Sequence, residues 1–304
     1  MTTALAAFVA SELDRTVSPD IAAAARMLAR KLGGSAVLFY GSVLRTGDLD
    51  GVLDFYVLTP GMSGTALRRL GTRWLWPDVS FHELAVGDRT LRAKVATMPL
   101  DTFARASSGR SIDTTIWTRF VQPAAMVWCE DEEVRLRVIE SISDAAVTAA
   151  RFAAVLGPPS ARANDYWAAL FRQTYRAELR VERPGRERAI LDVAPGRYAA
   201  LLPLAWENGG IAFHRDGEIL SPRTDEPERR RVRRAWANRA GAGKPLNAAR
   251  LVKAAFTFDG AARYGLWKVE RHTGVALPLT PWRERHPVLA APGVLWRVFR
   301  SRQR

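Results

Sequence analysis

Residues 36–58 (AVLFYGSVLRTGDLDGVLDFYVL) constrain the fold of this chain more than any other stretch. Two apolar runs of strand length and composition are joined there by a Gly-Ser turn and a short polar segment. A single carboxylate, Asp54, interrupts the second run. Because a buried carboxylate is costly unless something pairs or binds it, Asp54 is expected to have a partner. A divalent cation is one such partner, since hard cations prefer carboxylate oxygens.

The composition is that of an ordinary globular protein, and 304 residues leave room for two modest domains. Cys129 is the only cysteine, which excludes an internal disulfide and a cysteine-rich zinc site and fits a reducing compartment. The N-terminus lacks the pattern of a signal peptide, and no window has the apolar length of a membrane span. We therefore expect a cytoplasmic protein that is soluble or peripherally associated with the inner face of the membrane.

The positive charge is concentrated in the C-terminal quarter. The whole chain carries a formal charge of +14, and residues 229–304 hold 18 Lys and Arg against three acidic residues. Residues 1–228 are therefore close to neutral. A polyanion is the expected partner of the C-terminal region, either nucleic acid or an anionic membrane surface.

The hydrophobic pattern predicts an α/β domain with a mixed sheet and flanking helices over residues 1–130. Residues 3–32 predict two helices that end at Gly33-Gly34, and residues 65–75 predict a short helix. A hairpin is expected around residues 86–89, with a return strand over residues 91–98. A mainly helical domain is predicted over residues 131–228, followed by a basic, Trp-containing region over residues 229–304.

Two basic side chains, Arg92 and Lys94, share one face of the predicted return strand because they are two residues apart. A strand beside Asp54 would place a basic pair close to that carboxylate, which is an arrangement suited to phosphate. The alternative is that the pair lies on a solvated edge strand.

The C-terminal region interleaves basic residues with tryptophans, Trp236, Trp267, Trp282 and Trp296. This pattern favours an amphipathic segment at a membrane surface. Binding of single-stranded nucleic acid remains the alternative, since arginines and aromatic rings also bind single strands.

No Ser-His-Asp grouping, zinc-protease motif, dinucleotide-binding motif or P-loop is visible, and the four histidines show no ligand spacing. The strand, Gly-Ser turn and acidic strand are then the only constellation that carries chemistry. It resembles the start of nucleotidyltransferases of the polymerase-beta type. Those enzymes carry two acids flanking one residue on the second strand, whereas this chain has Val52 at the first position and Asp54 at the second.

One branch of that superfamily shares this departure, the mitochondrial-type phosphatidate cytidylyltransferases, also called the mitochondrial translocator assembly and maintenance family. Its Tyr-Gly-Ser-Gly and apolar-Asp-Phe pattern is similar to Phe39-Tyr40-Gly41-Ser42 and Val52-Leu53-Asp54-Phe55 here, with Val43 in place of the second glycine. The resemblance continues at residues 79–82, 91–95, 120–123, 146–150 and 174–180 and spans residues 36–182.

The resemblance implies transfer of a cytidylyl group from CTP to phosphatidic acid, which gives CDP-diacylglycerol and pyrophosphate. It implies Mg²⁺ or Mn²⁺ on Asp54, with Asp50 or Asp48 in support, and nucleotide binding by Tyr40, Gly41, Ser42 and Lys94. Asp54, Lys94 and Arg92 are the implied catalytic residues. Glu83 is the candidate for a third metal ligand, and Asp101 is an alternative to it.

Two other functions remain open at this stage. One keeps the fold and changes the acceptor to a protein, an RNA or a small alcohol. The other is a non-catalytic module that binds nucleotide, RNA or membrane.

Overall fold

The structure is a computed structural model, and it describes residues 3–47, 49, 51–61, 75–178, 190–274, 277–285 and 293. The short helix expected over residues 65–75 falls almost wholly outside these residues. Asp48 and Asp50, the supporting acids of the expected metal site, also lie outside them.

Two helices precede the sheet, α1 (Ala4–Leu13) and α2 (Pro19–Leu32). The Ser18 side chain caps α2 by accepting a hydrogen bond from the backbone N–H of Ile21. Helix α2 ends at Gly33, whose left-handed φ of 64° favours glycine. The prediction of two helices ending at Gly33-Gly34 is therefore confirmed.

Five strands form the central sheet: β1 (Ala36–Tyr40), β2 (Val52–Thr59), β3 (Asp78–Val86), β4 (Arg89–Pro99) and β5 (Ala124–Cys129). Their order is β3-β4-β2-β1-β5; β2 and β4 run parallel, and the other neighbours run antiparallel. A five-residue helix, α3 (Ser42–Thr46), follows β1. The expected mixed sheet with flanking helices is present, and the hairpin turns between Val86 and Arg89 as predicted.

Helices after β4 form the larger part of the core. They are α4 (Leu100–Ser107), α5 (Thr115–Phe120), α6 (Glu132–Leu156), α7 (Ala163–Ala177) and α8 (Pro195–Asn208). The long helix α6 is capped by Asp131, whose side chain accepts from the Val134 N–H. Trp167 of α7 and Trp206 of α8 are fully buried, and their indole N–H groups donate to backbone carbonyls.

Alternation along the strands divides the sheet into two buried faces. One face packs against α2 and carries Phe39 and Phe55 among its apolar side chains. The opposite face carries Tyr40 and Tyr56 and belongs to the core formed with α1 and the helices after β4. Asp54 lies on this second face, because it alternates with Phe55 along β2.

A small antiparallel sheet interrupts the region that was expected to be mainly helical. It consists of β6 (Ala161–Arg162), β7 (Phe213–Asp216) and β8 (Ile219–Pro222), in the order β6-β8-β7. Gly217 supplies the turn between β7 and β8 with a φ of 58°. The helical character of the region is otherwise present.

The basic C-terminal region folds into α9 (Glu226–Thr257), α10 (Ala261–Thr273) and α11 (Pro281–Arg285). Lys253 of α9 forms an ion pair with Asp78 at the start of β3 and donates to the Leu75 carbonyl at 2.6 Å. The region therefore packs on the α/β part of the chain. The boundaries at residues 130 and 228 stay predictions.

Across the described residues, no helix combines the length and the apolar character required to cross a bilayer.

Candidate functional site

The Gly-Ser turn and the strand carboxylate are in contact. Gly41 follows β1 with φ of 96° and ψ of −162°, a conformation that L side chains rarely adopt. A Cβ placed on Gly41 would lie 2.6 Å from Oδ2 of Asp54. Only glycine therefore lets the backbone of the turn approach this carboxylate so closely. Ser42, the next residue, begins α3 and is exposed.

The strand register aligns three polar side chains in one row. Tyr40 of β1 is opposite Asp54 of β2 in the antiparallel pair, and Asp54 is opposite Lys94 of β4 in the parallel pair. Residues that are directly opposite each other project from the same face of a sheet. Tyr40, Asp54 and Lys94 thus form a row across three adjacent strands.

The Lys94 side chain is half-buried and has two other cations near it. Burial lowers the pKa of its ammonium, the Asp54 carboxylate opposes that shift, and Arg119 and Lys268 lower the pKa further. Two cations from outside the sheet therefore act on the lysine in the row. A cluster of like charges around one carboxylate is suited to a ligand that carries more than one negative charge.

Arg119 of α5 is a site residue that sequence reasoning missed. Its guanidinium carbon lies 4.8 Å from the centroid of the Tyr40 ring, directly before the Gly-Ser turn. Burial works to lower the pKa of the guanidinium, but Tyr40, Tyr56 and Asp54 raise it overall, so the group stays cationic. The only sequence signal was a single basic residue among the buried apolar positions Ile116, Trp117 and Phe120.

Tyr40 and Tyr56 are two buried, neighbouring tyrosines beside Arg119. Their ring centroids are 5.6 Å apart, and the Tyr56 ring contacts Phe120 edge-on at 5.1 Å. Burial raises the pKa of Tyr40 and raises that of Tyr56 to about 12, with Arg119 opposing the shift in both cases. Both phenols are therefore neutral at physiological pH and can only donate or accept hydrogen bonds.

Arg92, the other expected basic residue, has different partners. It is opposite Val52, and this pair lies two residues along the strands from the Asp54–Lys94 pair. Its Nε lies 3.8 Å from Glu83 Oε1, and its guanidinium carbon lies 5.6 Å from the centroid of the Trp267 ring. Of the two basic residues, Lys94 thus lies beside Asp54, whereas Arg92 connects Glu83 and Trp267.

Glu83 and Asp101 do not gather with Asp54. Glu83 is exposed on β3, two strands away from β2, which corresponds to about 10 Å across the sheet. Asp101 lies two residues after Pro99, the residue opposite Thr59. Thr59 is five residues further along β2 than Asp54, which corresponds to about 17 Å. Asp101 also forms an ion pair with Arg137.

Among the described residues of this site, Asp54 is the one carboxylate placed to contact a divalent cation. Asp54 is half-buried, and no three His, Cys, Asp or Glu side chains among the described residues could together hold a metal ion. Mg²⁺ is commonly held by one or two carboxylates together with substrate phosphates and water. Asp54, in contact with the Gly-Ser turn, therefore fits a cation that arrives together with a phosphate-bearing ligand.

His82, the only histidine of the central sheet, lies on the face covered by α2. Its Nδ1 is 3.1 Å from Lys31 Nζ, and its Nε2 is 2.8 Å from Ser80 Oγ. Because the lysine can only donate, Nδ1 accepts and Nε2 donates to the hydroxyl. His82 is thus unable to act as a base toward Ser80, which agrees with a structural role.

No protein-family model matches this chain, and no curated protein matches it. The functional assignment therefore depends on the geometry of the row and the turn, together with the motif resemblance.

Proposed function

We propose that this chain transfers the cytidylyl group of CTP to phosphatidic acid, which gives CDP-diacylglycerol and pyrophosphate. The observation that carries the proposal is the contact between Gly41 and Asp54, with Lys94 directly opposite Asp54. A Gly-Ser turn, a carboxylate and an ammonium therefore lie on three neighbouring elements, which supports binding of a phosphate group there. The choice of phosphatidic acid as acceptor depends on the motif resemblance.

The turn supplies the neutral part of the phosphate site. Glycine at position 41 lets backbone N–H groups approach a bound phosphate without a side chain between them, and the exposed Ser42 hydroxyl adds a donor. Lys94 and Arg119 supply the charged part, since Lys94 lies opposite Asp54 and the Arg119 guanidinium lies over the Tyr40 ring. Together they would hold the triphosphate of the nucleotide.

Asp54 is the residue that would hold Mg²⁺ or Mn²⁺ in company with the nucleotide phosphates, and such a cation supplies charge neutralisation and orientation. Asp48 and Asp50 remain proposed supporting ligands outside the described residues. Glu83 is not included among the proposed ligands, because it lies on β3, two strands away from Asp54.

The chemical step exchanges one P–O bond for another. A phosphate oxygen of phosphatidic acid attacks the α-phosphorus of CTP, the bond from that phosphorus to the bridging oxygen breaks, and pyrophosphate leaves. The attacking phosphate is already ionised at neutral pH, so no strong general base is required. Lys94 and Arg119 stabilise the charge that develops on the phosphoryl oxygens and the leaving group.

Exposed apolar side chains in the basic region support a lipid surface as partner. Leu251 and Val252 of α9 are 66% and 62% exposed, and Trp282 of α11 is 54% exposed. Exposed apolar groups among lysines and arginines favour docking at an anionic membrane interface. A lipid acceptor would then be presented to a protein that binds the membrane peripherally.

The assay that tests the proposal uses purified protein with CTP, Mg²⁺ and phosphatidic acid in mixed micelles. We expect CDP-diacylglycerol from the wild type and a loss of at least about 100-fold in Asp54→Ala, since even outer-shell partners of a metal site cost 10- to 100-fold. If the wild type forms no lipid product, the proposal is contradicted. Parallel reactions with ATP, GTP and UTP, and with RNA or protein acceptors, test whether the enzyme uses a different nucleotide or acceptor.

A further inference from the structure

Helix α10 of the C-terminal region packs next to the row and contacts the edge strand β3. The backbone N–H of Phe81 in β3 donates to the Asp259 carbonyl at 2.8 Å, next to a bridge between Ser80 and Asp259. Gly260 follows with φ of 78°, and a Cβ there would lie 2.5 Å from the Phe81 carbonyl oxygen. The chain therefore enters α10 directly against β3.

Aromatic contacts then place one side of α10 over the face that carries Asp54. Phe81 is opposite Lys94 in the β3–β4 pair, so the two side chains share this face. The Tyr264 ring of α10 lies 5.3 Å from the Phe81 ring, and Trp267 stacks on Tyr264 at 6.2 Å. Phe81 therefore lies between Lys94 of the row and Tyr264 of α10.

Lys268 continues this series of contacts. Its ammonium lies 5.8 Å from the centroid of the Tyr264 ring, one helical turn further along α10. Electrostatic interactions agree with the placement. Lys268 contributes to lowering the pKa of Lys94, and burial together with the Asp54 carboxylate raises the pKa of Tyr264.

Three cations thus belong to this end of the row: Lys94, opposite Asp54; Arg119 of α5, over the Tyr40 ring; and Lys268 of α10, which acts electrostatically on Lys94. The mutual repulsion of these groups is relieved by a bound polyanion, which is the general logic of a phosphate site. Several other basic residues of the C-terminal region have acidic partners, for example Arg250 with Asp113 and Arg263 with Glu284.

We propose that α10 forms a wall of the nucleotide site, with Lys268 contacting the phosphates of the bound nucleotide and Tyr264 positioning that lysine. The inference rests on the proposed nucleotidyl-transfer function and adds a residue to its substrate site. It gives the C-terminal region a role in binding nucleotide that is independent of any membrane.

Equilibrium binding of radiolabelled CTP with Mg²⁺, without lipid or detergent, tests the role of Lys268. Lys268→Gln should raise the Kd about five- to tenfold, the effect of losing one charge-assisted contact at an exposed position. Lys268→Arg, which keeps the charge, should bind within about twofold of the wild type.

Arg263→Gln is the matched control, because it removes one charge from α10 at a residue paired with Glu284 and should leave the Kd unchanged. Tyr264→Phe keeps the ring and should bind as the wild type does, whereas Tyr264→Ala should weaken binding as much as Lys268→Gln. Equal loss in Lys268→Gln and Arg263→Gln, or no loss in either, would overturn the inference.

The outcomes separate this inference from the proposed function. Binding of CTP that depends on Lys268, without CDP-diacylglycerol formation in the lipid assay, would support the wall and contradict the acceptor. Product formation with a Kd indifferent to Lys268 would support the proposed function and overturn the wall. A wild type that binds no nucleotide would contradict both.

Discussion

Gly41 has little freedom to change. Its positive φ and its contact with the Asp54 carboxylate are separate constraints, and any side chain violates both. Gly87, in the turn between β3 and β4, also has a positive φ, of 56°, but has nothing within 4 Å of a built Cβ. The two glycines therefore separate backbone strain from obstruction of the site.

We predict that Gly41→Ala lowers transferase activity about 100-fold, the effect expected when a small displacement disturbs a reacting group. Gly87→Ala should cost about 1 kcal/mol of unfolding free energy from backbone strain and leave activity unchanged. Product formation and urea unfolding of both variants are the measurements. Equal activity in the two variants would contradict the assigned role of the Gly41–Asp54 contact.

His82 predicts a pH dependence of stability. Burial lowers its pKa, Lys31 lowers it further, and Asp259 opposes the shift. As the pH falls below about 6.5, an unfolded chain takes up a proton that folded His82 resists, so the free energy of unfolding decreases. Urea unfolding from pH 7 to pH 5 measures this, and His82→Gln should flatten the decrease.

The control for this pH series is His214→Gln, which changes an exposed histidine of β7. A pH series for His82→Gln with the same slope as the wild type would show that other groups govern acid stability.

Single residues differ in how far the sequence predicts them. Asp54 could be identified because a lone acid in an apolar strand is conspicuous, and alternation along the hairpin strand put Arg92 and Lys94 on one face. The choice of Lys94 required the register between β2 and β4. Arg119 and Lys268 come to the row from helices remote in sequence, α5 and α10. Local patterns contain no information on where such helices pack, so these residues required the tertiary structure.

At the scale of elements, α9 is attached to the α/β part by a buried ion pair. Arg250 and Asp113 are 15% and 3% exposed in their side chains, and Asp113 also accepts from the Thr115 N–H at 2.6 Å. An exposed pair on the same helix, Arg230 with Glu226, has side chains 68% and 57% exposed. Burial distinguishes the two pairs, because removal of one partner leaves a buried charge only in the first.

We predict that Arg250→Ala lowers the free energy of unfolding by about 3 kcal/mol, since Asp113 would remain as a buried, partly compensated charge. Arg230→Ala should change it by less than about 0.5 kcal/mol, as is typical of exposed pairs. Urea unfolding monitored by circular dichroism compares them. Similar small changes in both would mean that α9 does not depend on the Arg250–Asp113 pair.

Elements were predictable where local signals agree, and less so elsewhere. The caps at Ser18 and Asp131 mark helix starts, and both helices form. The hairpin of β7 and β8 was missed, although Asp216-Gly217 between alternating segments is a recognised turn signal. The packing of α10 on β3 had no local signal, because it depends on the backbone contact at Asp259.

At the scale of the whole molecule, the uneven charge and the exposed apolar side chains predict a membrane-facing surface. Leu251 of α9 lies in the basic region, whereas Leu136 of α6 lies outside it, and the two are 66% and 57% exposed. They form a matched pair of exposed leucines that differ in their surroundings.

We predict that the protein sediments with vesicles containing phosphatidic acid and that binding weakens as salt rises, because exposed charges are screened. Leu251→Ala should reduce the bound fraction several-fold, and Leu136→Ala should not. Salt-dependent binding to single-stranded RNA without binding to vesicles would contradict a lipid partner and favour nucleic acid.

Nucleotidyl transfer is proposed to occur at Asp54. It is tested most directly by formation of CDP-diacylglycerol from CTP and phosphatidic acid with Asp54→Asn and Asp101→Asn compared side by side. Both changes replace one carboxylate by an amide of nearly equal size, at the row and at the opposite end of the strands respectively. We expect activity in the wild type and in Asp101→Asn, with a loss of at least about 100-fold in Asp54→Asn. Full activity in Asp54→Asn, or none in the wild type, would contradict it.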